Sequence, residues 1–139
     1  MPTSTEFWSL AETRLKDAEG LLGIQRWDCA YYVAGYVVEC ALKAFIVRDV
    51  EQKGTLFSDR TVATKLVEQF FAHHLDKLLV AANLQPIFGQ AQQQDQVLRA
   101  NWETVNGWRE SSRYELPGKA KSEELFEASS TVTDAAWRV

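Results

Sequence analysis

The chain has 139 residues, 46% of them hydrophobic and 24% charged, which is the length and balance of one globular domain, residues 1–139. A net charge of −4 and a pI near 5.2 exclude a protein that coats nucleic acid through bulk positive charge, although a local basic patch stays open. The first residues, Met1-Pro-Thr-Ser-Thr-Glu6, lack the basic start and apolar core of a secretion signal, so a cytoplasmic location is expected.

A first helix is expected from about Ser4 to Leu22. Thr3, Ser4 or Thr5 can cap it, and Phe7, Leu10, Ala11, Leu15, Ala18, Leu21 and Leu22 form its apolar stripe. Gly23 and Gln25-Arg26 mark a short link. The segment from Trp27 to about Val50 then reads as a helix that is apolar almost all round, so it belongs at the centre of the fold. Its one polar strip is Asp28, Tyr32, Tyr36, Glu39 and Lys43; those charges argue against a membrane span. Gly35 in mid-helix costs about 1 kcal/mol against Ala, and close approach of a neighbouring helix is the expected reason. Cys29 and Cys40 share a face but lie about 16 Å apart along the axis, too far for a disulfide. Both are expected to be buried and inert.

Gly54 centres a break. Helical spacing resumes from about Asp59 and continues through Leu75, Leu78, Leu79 and Ala82, as one helix or two, ending at Asn83 and Pro86. A further helix is expected over about Ala91–Ser112, with Val97, Leu98, Trp102, Val105 and Trp108 inward. A loop with a Pro117-Gly118 turn leads to a last helix over about Lys119–Trp137. No alternating apolar/polar run reads as a strand. The expected architecture is an all-α, up-and-down bundle of four main helices plus a short extra helix.

Three constellations can carry chemistry. Arg109 and Arg113 lie i, i+4 if the helix persists past them, and two guanidiniums on one face suit an anion; alternatively Glu110, Glu115, Glu39 or a glutamate of the last helix neutralises them. Glu39 and Lys43 form either an internal ion pair or the wall of a polar cleft reaching those arginines. Trp102, Trp108 and Tyr114 can stack on bases, or simply fill the core. His73 and His74 are adjacent and point to different helix faces; His74 suits a helix start, and no nucleophile is evident beside it. There is no metal-ligand spacing, no Gly-rich phosphate loop and no Ser-His-Asp arrangement, so no metal or cofactor is expected.

Trp27-Asp28, Ala30-Tyr31-Tyr32, Ala34-Gly35-Tyr36, Glu39 and Ala41-Leu42-Lys43-Ala44 together resemble the second helix of HEPN domains. His74-Leu75 with Leu78-Leu79 is similar to the start of that family's third helix, and Asn101-Trp102 through Ser112-Arg113-Tyr114 to the segment before its last helix. Thr61 to Ala72 reads as an insertion. The resemblance implies a four-helix bundle that forms a homodimer. It also implies one of two functional types: RNases using an Arg followed a few residues later by His, or members without that motif that bind nucleotides or accompany small nucleotidyltransferases in toxin–antitoxin-like pairs. Here the positions after Arg109 are Tyr114, Glu115 and Leu116, and those after Arg113 are Gly118, Lys119 and Ala120, none of them His. The expectation is therefore a homodimeric module that interacts with nucleotides or RNA through Arg109, Arg113, Tyr114, Glu39 and Lys43, without the standard nuclease pair. A nucleotidyltransferase partner and a divergent metal-independent RNase are the alternatives.

Overall fold

Thr3 opens α1 (Ser4–Gly23) by accepting the Glu6 amide on its hydroxyl at 3.1 Å, one of the free donors at a helix start. The computed structural model describes residues 2–52 and 73–138. α1 ends with Gln25 at φ 61°, where the Arg26 amide donates to the Leu21 carbonyl and the Gln25 amide to that of Leu22. This paired reverse hydrogen bonding turns the chain back at once into α2 (Trp27–Gln52), which extends two residues past the expected end.

α2 is the axis of the molecule. Thirteen of its residues are buried, and α1, α3 (Leu75–Ala81), α6 (Lys119–Trp137) and a 3-10 turn (Glu110–Tyr114) all pack on it. By length and composition α2 is also apolar enough to cross a membrane, but 72% of its most apolar window is buried inside the bundle, the situation of a core helix. The start of α6 is bolted to it: the Gly118 amide donates to Asp28 Oδ1 at 3.0 Å. The fully buried Ser122 hydroxyl sits 2.5 Å from the Trp27 carbonyl and 2.6 Å from that of Gly118.

The remaining helices differ from expectation in instructive ways. The segment from Asp59 to Ala72, including the reading of an insertion, lies outside the described residues. The next helix starts afresh, because His73 at φ 56° and extended His74 interrupt any helix running through to Asn83. α3 closes on Asn83 at φ 59°, with the Leu84 amide donating to Leu79. Pro86 then begins a helix instead of ending one: it occupies the first turn of α4 (Gln85–Gln94), where no amide donor is needed. The single helix expected over Ala91–Ser112 is broken at Asp95. Its extended backbone and carboxylate, accepting the Val97 and Leu98 amides at 3.0 and 3.1 Å, start α5 (Gln96–Asn106) anew.

All described elements are helical, and the all-α bundle is the observed architecture. One layer of the core joins Val38, Leu42 and Phe45 of α2 to Leu75 and Leu78, Leu98 and Val105, and Leu125 and Val132. A second, smaller cluster joins Ala11 to Val37, Cys40 and Ala41. Cys40 is buried as expected, but Cys29, in the first turn of α2, is exposed. Gly35 makes room for a side chain instead of a whole helix. A Cβ there would stand 2.3 Å from the Trp108 indole.

Candidate functional site

The polar strip of α2 faces the 3-10 turn, and its charges are paired deep in the protein. Glu39 is 2% exposed; its Oε2 accepts from Lys43 Nζ at 3.3 Å, and Lys43 is itself buried. Charges removed from water this far require partners. The other oxygen, Oε1, lies 3.0 Å from His73 Nδ1. An ionised carboxylate only accepts, so Nδ1 carries the proton of this bond, and in neutral His73 the lone pair falls on Nε2.

Nε2 points outward, 3.4 Å from Glu110 Oε2, and Glu110 Oε1 is 3.7 Å from Arg113 Nη1. A chain of ionisable side chains thus runs Lys43, Glu39, His73, Glu110, Arg113, from the core to a half-exposed guanidinium. Tyr114 stands at its outer end, 78% exposed, with the Arg113 guanidinium 4.9 Å from its ring centre. Tyr114 beside it raises the Arg113 pKa further, so Arg113 is a permanent cation. Half-buried Tyr32 and Tyr36 lie nearly parallel at 6.4 Å, and Tyr32 also tilts against Trp108 at 5.8 Å. Burial raises both phenols, with the Glu110 charge adding to the effect at Tyr32; Tyr36 reaches about 12. Both therefore remain neutral hydroxyls at physiological pH.

Of the residues singled out from sequence, Glu39, Lys43, Arg113 and Tyr114 fall on this one chain. Arg109 does not. Since α5 stops at Asn106, Arg109 and Arg113 do not share a helical face, and the expected paired clamp is corrected. Arg109 Nη1 donates to the carbonyls of Asn106 at 2.6 Å and Trp108 at 2.9 Å, capping the end of α5. Glu110, one of the expected neutralisers, does pair with Arg113. Trp102 and Trp108 are core residues, at 8% and 0% exposure, so of the three aromatics only Tyr114 offers an open face.

His73 is the residue that sequence reasoning passed over. It lies 34 positions from Glu39, and a tandem His-His carries no spacing signal toward a carboxylate on another helix. Among the described residues no three His, Cys, Asp or Glu side chains converge as a metal site. Comparison of the chain with family models, with curated protein sequences and with solved structures gives no match.

Proposed function

We propose that this chain is a HEPN-like helical module, working as a homodimer, that binds a nucleotide or RNA at the outer end of the Lys43–Arg113 charge chain. The observation carrying this reading is the joint exposure of Arg113 and Tyr114 beside a carboxylate–histidine pair anchored in the core. A guanidinium presents paired donors to a phosphate, and an open phenol ring offers a face for a base. The test is thermal unfolding with a panel of nucleotides and short RNAs. A ligand at about 100 times its Kd stabilises by about 2.7 kcal/mol, a rise of several degrees in Tm. Arg113→Ala and Tyr114→Ala should each abolish the rise while keeping the unliganded Tm. Absence of any ligand-induced rise in the wild type removes the reading.

A second reading, RNA cleavage, is favoured by one specific observation: His73 shares the Glu110 carboxylate with Arg113, and so supplies from another segment the imidazole missing after Arg113. With Glu110 displaced by substrate, Nε2 would take the proton of a 2′-hydroxyl as its oxygen attacks phosphorus. The 5′-oxygen would leave with a proton from solvent, giving a 2′,3′-cyclic end. Positioned proton transfer contributes roughly 10²–10⁴-fold, so His73→Ala should slow cleavage in EDTA at least 100-fold. RNA left intact by the wild type excludes this activity but not binding. Co-purification with a nucleotidyltransferase and no response to RNA would instead favour the partner role.

A further inference from the structure

The face of α2 turned toward α1 and the end of α6 takes no part in the charge chain. α1 and α6 both pack along α2 but touch each other lightly. A cavity of about 380 Å³ opens there, with walls from Trp8, Phe45 and Trp137 and with Arg48 and Glu12 among its polar lining. That volume is in the range that holds a small organic molecule. Trp8 is the hinge of the aromatic wall: it meets Phe45 edge-on at 5.9 Å and stacks with Trp137 at 4.4 Å. Trp137 nevertheless leaves 62% of its surface open. Arg48 sits over Phe45, its guanidinium carbon 4.5 Å from the ring centre. A guanidinium carries five N–H donors, so contact with a ring leaves it able to donate to an anion. Among the described residues no carboxylate lies within salt-bridge distance of Arg48; the nearby Glu51 instead accepts the Ser4 hydroxyl at 2.5 Å.

We propose that this cavity binds a planar aromatic ligand carrying one anionic group, its ring against Trp8 and Trp137 and its anion on the edge of the Arg48 guanidinium. Aromatic faces accept any flat ring, so the charge decides selectivity. Arg48 attracts a carboxylate or phosphate, and Glu12 repels a second negative group. The site is separate from the Arg113 surface and stands independently of the function proposed for it.

Titration calorimetry with three indoles of one shape and different charge tests this. Indole-3-acetate should bind with Kd on the order of 0.1–1 mM and about 5–10-fold more tightly than indole, with tryptamine weakest. Arg48→Gln should reduce indole-3-acetate to the level of indole. Trp137→Ala should weaken all three, and Arg113→Ala should change none. Circular dichroism identical to wild type shows that each variant is folded; both mutated side chains in the cavity are exposed. The proposal is overturned if no indole saturates the protein, if tryptamine binds best, if Arg48→Gln leaves the preference unchanged, or if Arg113→Ala abolishes binding.

Discussion

Trp108 fills the space that a side chain at position 35 would need, and it is fully buried there. Adding a methyl at Gly35 would gain about 1 kcal/mol of helix propensity, but the indole sits on the ring-lined Tyr32 side of α2 and has nowhere to retreat. Gly35→Ala is therefore expected to cost about 1–3 kcal/mol net, read as a lower urea midpoint at unchanged slope. Gly20 provides the control: a Cβ there meets nothing within 4 Å, so Gly20→Ala should stabilise by about 0.5–1 kcal/mol. Glu39 is a different type of residue-scale commitment. Its carboxylate holds both Lys43 and His73. Glu39→Ala withdraws that charge from a buried lysine and should cost about 3–5 kcal/mol by the same denaturation assay. If the loss were under 1 kcal/mol, the pair would be contributing little to the fold.

At the scale of elements, caps decide where helices begin and stop. Asp95 separates α4 from α5 because its side chain binds two amides of the new first turn while its own backbone is extended. Asp95→Ala should destabilise by about 1 kcal/mol. Hydrogen exchange should show the loss at the Val97 and Leu98 amides first, with α6 protection unchanged. Arg109 has the matching task at the other end of α5, where it occupies the carbonyls of Asn106, the last residue of the helix, and of Trp108 just beyond it. This is why one arginine of the expected pair belongs to the scaffold, and only Arg113 reaches the surface chain.

For the whole molecule, α2 links the core to the candidate site, and its buried acids make stability fall at high pH. Burial lifts the Cys40 thiol from 9.0 to about 11 and the Tyr36 phenol from 10.0 to about 12. The folded state thus keeps protons that the unfolded state releases. Their contribution is whole below pH 9, declines as pH rises through the unfolded values, and is gone once the folded values are passed. Cys40 should account for about 2–3 kcal/mol of loss between pH 9 and 11, and the less deeply buried Tyr36 for a smaller loss up to pH 12, because water screens it. Guanidinium melts at pH 8, 10 and 11 check this; in Cys40→Ala the decline between pH 9 and 10 should disappear, and that between pH 10 and 11 should shrink to the Tyr36 part.

The amino-acid sequence by itself determined the helical class and most of the long helices. α1 begins at Ser4 and α6 spans Lys119–Trp137 as expected, since periodicity and capping act over one or two turns of the same segment. The Asp95 boundary was equally local, yet the glutamine-rich stretch before it, Gln90-Ala-Gln-Gln-Gln94, carries no apolar pattern that marks a separate helix. The apolar girth of α2 likewise announced its central place, and Glu39, Lys43, Arg113 and Tyr114 were visible as residues in want of partners. What only tertiary structure decided is who those partners are. His73 meets Glu39 across 34 residues, Trp108 folds back onto Gly35, and Trp137 comes to rest on Trp8 near the other end of the chain. Such contacts depend on how the helices lie against one another, and no period or cap within a single helix encodes that.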